Sequence, residues 1–181
     1  MKIAINGFGR IGRLVYRLMK EDDFFDVVAI NDLSSSEEMA YLLRYDTNHR
    51  TYDKDITFDE EDIIVDGKKT RVYSEMDPSN LPWGELGIDL VFECTGKFTK
   101  KEDANKHILA GAKKVLISAP GKGDMKTIVY NVNDDILTSD DIIVSAASCT
   151  TNCLAPIVKV LDDNFGIERG FMTTIHAYTN D

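Results

Sequence analysis

The stretch at residues 2–13 reads KIAINGFGRIGR, and it decides the fold. It opens on a short apolar run, which is typical of a buried strand. The glycines that follow, Gly7, Gly9 and Gly12, have the spacing G-x-G-x-x-G. Apolar residues then recur at helical spacing as far as Met19. The stretch therefore predicts a strand, a tight turn and a helix in succession.

Beyond this unit the chain continues to alternate between strand and helix patterns. Further strands are expected at 25–30, 89–93, 115–118, 127–132, 142–145 and 171–175. Helices are expected from Ser36, over 101–109 and from about Thr150. This alternation predicts an α/β fold built on a doubly wound, mostly parallel Rossmann sheet.

Short alternating segments between residues 51 and 74 interrupt this order. They surround the dipeptide Asp66 and Gly67, a strong signal for a hairpin turn. We therefore expect an antiparallel excursion from the parallel sheet.

Composition limits the classes of protein that remain. The chain has 181 residues, 43% hydrophobic and 29% charged, with a net charge of −10. Such an acidic surface argues against nucleic acid as a partner. No stretch approaches the roughly 20 apolar residues of a membrane span. The three cysteines do not suggest a disulfide framework, so we expect a reducing cytoplasm.

The domain organisation is expected to change at the cysteine segment. We predict a nucleotide-binding domain over residues 1–148 and the beginning of a second, α+β domain over 149–181. Cys149 and Cys153 form C-x3-C without a second pair downstream, which is a weak zinc signal, and no metal site is predicted.

The glycine-rich turn is the first candidate site. Gly7 permits a tight turn, Gly9 lets the backbone approach a pyrophosphate, and Gly12 lets helix and strand pack closely. Asp32 follows the second strand, twenty residues after Gly12, where an acid binds a ribose 2′-hydroxyl. That carboxylate repels a 2′-phosphate, so NAD is favoured over NADP. The alternative is a plain turn with a capping aspartate.

Two further turns follow predicted parallel strands. They contain Thr95 with Gly96, and Ser118 with Pro120. Ligands of such sheets bind at the carboxyl ends of the strands, so these turns could complete the cleft. They are equally compatible with ordinary strand ends.

The segment at 148–153, SCTTNC, is the second candidate site. It places Cys149 near the start of a helix, where the helix dipole stabilises a thiolate. Cys153 is interpreted as a small buried apolar residue, and Cys94 as structural.

A nucleophilic thiol needs a base, and His176 is the candidate. It follows the predicted strand at 171–175, at the strand end where α/β catalytic groups collect. His49 lies in a polar stretch where exposure is expected. His107 lies in a predicted helix, either exposed or packed.

Several of these segments together resemble one enzyme family. They are residues 5–13, 31–33, 93–96, 117–120, 148–156 and 176–179. The chain is similar over its whole length to the phosphorylating glyceraldehyde-3-phosphate dehydrogenases. The resemblance implies a cytoplasmic, glycolytic homotetramer that oxidises glyceraldehyde 3-phosphate with NAD and inorganic phosphate.

The same resemblance implies roles for individual residues. Cys149 would be the nucleophile and His176 the base. The implied cofactor contacts are Gly7, Gly9, Arg10, Ile11, Gly12, Asp32, Met76, Thr95, Gly96 and Ser118. The implied substrate contacts are Ser148, Cys149, Thr150 and Thr179. Met76 stands where the family often has arginine, so only a backbone contact is expected there.

Chains of that family continue well past Asp181. We therefore expect the 181 residues to be the first part of a longer enzyme and to be inactive alone. Two other interpretations stay open: an erythrose-4-phosphate dehydrogenase with the same site, and a non-catalytic NAD-binding fragment.

Overall fold

The computed structural model describes residues 1–177. Its strands are β1 Lys2–Asn6, β2 Asp26–Asn31, β3 Ile56–Phe58, β4 Asp62–Val65, β5 Lys68–Tyr73, β6 Leu90–Glu93, β7 Lys114–Ile117 and β8 Ile143–Ser145. Its α-helices are α1 Arg10–Met19, α2 Ser36–Arg44, α3 Trp83–Leu86, α4 Lys101–Leu109 and α5 Cys149–Phe165. Short 3-10 turns cover Pro78–Asn80 and Asp134–Ile136.

One sheet organises these elements. Across the described residues its strand order is β3-β4-β5-β2-β1-β6-β7-β8. The pairs from β5 to β8 are parallel, whereas β3 and β4, and β4 and β5, are antiparallel. Strand order reverses at β1, which lies between β2 and β6. The predicted doubly wound sheet with an antiparallel excursion is therefore confirmed, and its switch point is the carboxyl edge of β1.

Hydrophobic clusters cover both faces of the sheet. Ile3 and Ile5 of β1 pack in one cluster together with side chains from α1 and α2. Ala4 of β1 packs in the other cluster, with Trp83 of α3 and Ala104 of α4. Because alternate residues of β1 enter different clusters, the strand is buried on both faces, which explains its continuous apolar sequence.

The strand predicted at 127–132 is wrong. Only one isolated parallel bridge forms there, between Thr127 and Ser145. The chain then turns back on itself: Val129 N–H donates to Asn133 Oδ1 at 2.8 Å, and Asn131 has a φ of 58°. A polar turn therefore replaces the extended pairing that the apolar residues had suggested.

The strand predicted at 171–175 is also wrong. Residues 171–177 have no regular secondary structure, and Phe171 and Ile175 are fully exposed. A strand requires a neighbouring strand to accept its backbone hydrogen bonds. None of the strands within residues 1–177 pairs with this segment. In the same part of the chain, no helix is long and apolar enough to cross a membrane.

Candidate active site

The glycine-rich turn is sterically tight at two of its three glycines. Gly7 has a φ of +90°, and a Cβ there would lie 2.7 Å from the Thr95 nitrogen. A Cβ on Gly12 would lie 2.1 Å from the Gly7 carbonyl oxygen. Around Gly9, by contrast, no atom lies within 4 Å of the position of a Cβ. The turn is thus closed beneath by packing and open at Gly9, where a ligand's phosphates can approach the backbone.

Helix α1 directs a positive end toward this opening. Its N-cap is Gly9, no side chain caps it, and its first turn carries no acidic residue. Arg10 and Ile11 are exposed there. Uncapped N–H groups at a helix N-terminus form a favourable site for a pyrophosphate.

Asp32 lies beside the turn, directly after β2. Its Oδ2 accepts the Phe8 N–H at 2.6 Å, and its Oδ1 accepts the Ser34 N–H at 2.9 Å. Each carboxylate oxygen has further acceptor capacity, so ribose hydroxyls can still be bound. Leu33 beside it is 56% exposed and offers no cation to a 2′-phosphate. The donor and acceptor set of this edge therefore fits NAD.

The two further turns also lie at this carboxyl edge. Gly96 has a φ of 72°, and Ser118 N–H donates to the Glu93 carbonyl at 3.0 Å, so both turns adjoin the end of β6. Met76 is 80% exposed, which leaves its backbone accessible. Whether these residues contact NAD stays a prediction.

Cys94 lies between these turns and is largely enclosed. Burial raises the pKa of its thiol to about 12, although a hydrogen bond with Ser118 opposes the shift. A thiol with that pKa stays protonated at neutral pH, which fits the structural role expected of Cys94.

Cys149 is the first residue of α5 and is exposed. Ser148 is the N-cap, and its Oγ accepts the Thr151 N–H at 3.0 Å. Ala147, directly before the cap, has a φ of +61°, and the chain turns there from β8 into α5. The expected position of Cys149 at the start of a helix is therefore present, at the positive end of the helix dipole.

Cys153, interpreted as buried, is exposed. The reason is that α5 has no buried residue: within residues 1–177 its side chains are exposed or at most half-buried. Both cysteines of the C-x3-C pattern consequently lie at the surface of the described chain, and no group of three potential metal ligands forms in that part.

His176 approaches the start of α5. Its Nε2 lies 3.1 Å from Thr150 Oγ1, and the ring is exposed. The histidine thus contacts Thr150, the residue next to Cys149, although His176 and Thr150 are 26 positions apart in the chain. Thr179, the remaining predicted substrate contact, lies outside the described residues.

Sequence patterns missed a set of buried polar residues at the same edge: Asn6, Asn31, Glu93 and His107. His107, expected to be exposed or packed, is fully buried and lies 3.0 Å from Glu93 Oε2. One signal was available: each of three apolar strands ends in a residue with a polar side chain, Asn6, Asn31 or Glu93.

The fold and the glycine-rich edge define a dinucleotide-binding α/β domain. Residues 1–101 match the family described as glyceraldehyde 3-phosphate dehydrogenase, NAD binding domain. Residues 148–181 match its C-terminal domain. The chain belongs to the glyceraldehyde 3-phosphate dehydrogenase family, and NAD is the cofactor of its nucleotide-binding domain.

Curated relatives agree with this assignment. A protein of Clostridium pasteurianum named glyceraldehyde-3-phosphate dehydrogenase is 58% identical over 180 residues, covering 99% of this chain and 54% of the relative. Glyceraldehyde-3-phosphate dehydrogenase 2 of Bacillus subtilis is 56% identical, covering 100% and 54%. The Thermotoga maritima glyceraldehyde-3-phosphate dehydrogenase is 52% identical, covering 99% and 55%. The chain spans about half the length of the curated relatives it matches.

Proposed function

We propose that the protein containing these residues is an NAD-dependent, phosphorylating glyceraldehyde-3-phosphate dehydrogenase. The observation that carries the proposal is the exposed Cys149 at the N-terminus of α5, with His176 in contact with the next residue, Thr150. Both lie in a chain whose N-terminal sheet matches an NAD-binding domain.

The reaction begins at the thiol. The Cys149 thiolate, stabilised by the N-terminus of α5, attacks the aldehyde carbon and forms a thiohemiacetal. His176 accepts the proton of its hydroxyl group as a hydride leaves the same carbon. NAD, when bound, supplies the acceptor for that hydride. The product on the enzyme is a thioester with Cys149.

The thioester links oxidation to phosphorylation. Inorganic phosphate attacks its carbonyl carbon, the Cys149 thiolate leaves, and 1,3-bisphosphoglycerate is released. Ser148 and Thr150 flank the cysteine at the helix start, where backbone N–H groups and hydroxyls favour a phosphate. Arg10, Ile11 and Asp32 are the proposed cofactor contacts, together with the turns at Thr95 and Ser118.

Assembly and location belong to the same proposal. We expect a cytoplasmic homotetramer with the sequence divided near Ser148 into a nucleotide-binding and a catalytic domain. Light scattering on the natural full-length protein tests the assembly. A stable monomer that turns over at the full rate would contradict it.

The activity test measures NADH formation by the natural full-length protein. We expect turnover with glyceraldehyde 3-phosphate that requires inorganic phosphate, and slower turnover with erythrose 4-phosphate. Phosphate-independent turnover would contradict the phosphorylating mechanism. Faster turnover of erythrose 4-phosphate would favour the alternative substrate, and NAD binding without turnover of either would favour a non-catalytic protein.

A further inference from the structure

A row of buried polar side chains crosses the sheet at the end of its central strands. Asn31, Asn6 and Glu93 are the last residues of β2, β1 and β6. The strand register pairs Asn6 with Asn31 on one side and with Glu93 on the other. Their exposures are 4%, 1% and 1%. Buried polar groups of this kind are costly unless hydrogen-bonded, so their partners define what the row does.

The direction of hydrogen bonding is fixed at the Asn31 end. The Glu75 N–H donates to Asn31 Oδ1 at 2.8 Å, and a backbone N–H can only donate. Asn31 Nδ2 must then be the donor to Asn6 Oδ1, at 2.7 Å. Asn6 Nδ2 is in turn the donor to Glu93 Oε2, at 2.6 Å. Every bond in this series therefore points toward Glu93.

A second series of bonds reaches the same carboxylate from the helix side. Trp83 Nε1–H, which can only donate, lies 3.0 Å from His107 Nδ1. His107 must accept at Nδ1, so it is neutral and carries its proton on Nε2. That proton is donated to Glu93 Oε2 at 3.0 Å.

The other oxygen of Glu93 holds the turn that follows β6. Glu93 Oε1 accepts the Thr95 N–H at 2.8 Å and also the Thr95 hydroxyl. The same hydroxyl accepts the Lys97 N–H at 3.1 Å, which ties the next part of the turn to the carboxyl group. Four donor groups thus converge on this carboxyl group: Asn6 Nδ2, His107 Nε2, the Thr95 N–H and the Thr95 hydroxyl.

We propose that Glu93 is a positioning residue for NAD, an inference that rests on the proposed cofactor contacts at this edge. Its buried carboxylate fixes the turn at Thr95 directly and the backbone of Glu75, beside Met76, through the two asparagines. Thr95 also packs closely against Gly7, since a Cβ on Gly7 would lie only 2.7 Å from the Thr95 nitrogen. A shift of the Thr95 turn therefore disturbs the glycine turn as well. Loss of the Glu93 carboxylate would therefore release the turn at Thr95, the backbone of Glu75 and the glycine turn together.

Glu93→Gln tests the proposal because the shapes match, while one of the two acceptor oxygens is replaced by a donor NH₂ group. The new NH₂ group must replace either Oε1, where it meets the Thr95 donors, or Oε2, where it meets the donors of Asn6 and His107. In both orientations a donor faces other donors. We expect the dissociation constant for NAD, measured by calorimetry on the full-length protein, to rise about tenfold or more. The turnover number at saturating NAD should stay within about threefold, since the catalytic residues are untouched.

A stricter test moves the carboxylate from Glu93 at the end of β6 to position 6 at the end of the neighbouring strand β1. Asn6→Asp alone places two carboxylates against each other and should also weaken NAD binding by about tenfold. In the double variant Asn6→Asp with Glu93→Gln, the carboxylate at position 6 accepts from Asn31, from the new amide and from His107 Nε2, which is 3.5 Å from Asn6 Nδ2. The double variant should bind NAD within about threefold of wild type.

Thr70→Val is the matched control. Thr70 is fully buried in β5, and its hydroxyl donates to the Val27 carbonyl at 3.1 Å and lies 3.1 Å from the Tyr16 hydroxyl. Its loss therefore removes two buried hydrogen bonds, neither of them at the carboxyl edge. NAD affinity of this variant should equal that of wild type. A folded Glu93→Gln variant with wild-type NAD affinity would overturn the inference. If that variant does not fold, the double variant decides: NAD binding no tighter than that of the folded Asn6→Asp variant overturns the inference.

These results separate the inference from the cofactor assignment on which it rests. A wild-type protein that binds no NAD contradicts both. A wild-type protein that binds NAD, with an unaffected Glu93→Gln variant, contradicts the positioning role alone.

Discussion

Gly12 and Gly9 show how two glycines of one turn differ in what they require. A Cβ on Gly12 would lie 2.1 Å from the Gly7 carbonyl oxygen, a backbone atom that cannot move aside. At Gly9 the space is open, and its φ of −68° is one that any residue adopts. Gly12 is therefore needed for the turn to fold. We expect Gly9 to be needed for the close approach of the NAD pyrophosphate to the backbone.

Gly12→Ala and Gly9→Ala should fail in different ways. The first should lower the free energy of unfolding by about 1–3 kcal/mol, the usual cost of overpacking. The second should change it by less than about 1 kcal/mol but weaken NAD binding. Urea unfolding and NAD calorimetry measure the two effects. A Gly12→Ala variant as stable as wild type would contradict the tight packing of the turn.

Among the elements, the segment that leads into β8 is held in place by hydrogen bonds to one carboxylate, that of Asp141. Asp141 Oδ2 accepts from Lys126 Nζ at 2.7 Å, from the Thr138 N–H at 2.7 Å and from the Thr138 hydroxyl at 2.9 Å. The hydrogen bond from Lys126, followed by that from the Thr138 backbone, lowers the pKa of Asp141 to about 2. Burial opposes this shift but does not cancel it.

Asp141→Asn should therefore lose stability in a pH-dependent way. The pKa of Asp141 in the folded protein, about 2, lies below its ordinary value of 3.8. Its stabilisation is complete above the ordinary value and disappears as pH falls toward the folded value. Unfolding of wild type and variant between pH 7 and pH 2 should show a difference that is constant near neutrality and shrinks below about pH 4. A difference that does not change with pH would rule out this role.

Local patterns predicted those elements whose cause is local. The hairpin at Asp66 and Gly67 formed because both residues adopt the positive φ that such a turn requires, 50° and 77°. The glycine turn before α1 was likewise predicted from the spacing of Gly7, Gly9 and Gly12. In each case a few adjacent residues contain the whole physical reason.

Features that depend on distant partners were not predicted. Residues 171–175 have the apolar character of a strand, but sequence does not show whether a neighbouring strand is present to pair with them. Glu93 and His107 are 14 positions apart, and their contact depends on how α4 packs on β6. The register that brings Asn6 beside Glu93 spans 87 positions. Such contacts follow from the assembled sheet rather than from any local pattern.

At the scale of the whole molecule, NAD binding and folding stability are linked. A ligand that binds only the folded state at 100 times its dissociation constant adds about 2.7 kcal/mol to the free energy of unfolding. NAD should produce this effect in the full-length protein. NADP at the same concentration should stabilise less, because Asp32 repels its 2′-phosphate. Thermal unfolding with each dinucleotide measures the difference, and equal or greater stabilisation by NADP would contradict the cofactor preference.

The central claim is that Cys149 carries the reacting carbon as a thioester. The most direct measurement is peptide mass mapping of the full-length protein after incubation with NAD and glyceraldehyde 3-phosphate in the absence of inorganic phosphate. We predict one acyl group on Cys149 that disappears when phosphate is added, with none on Cys153, the exposed cysteine one helical turn further along α5. The same acylation should be absent from Cys149→Ser and unchanged in Cys153→Ser. An acyl group on Cys153, or turnover that persists in Cys149→Ser, would contradict the account.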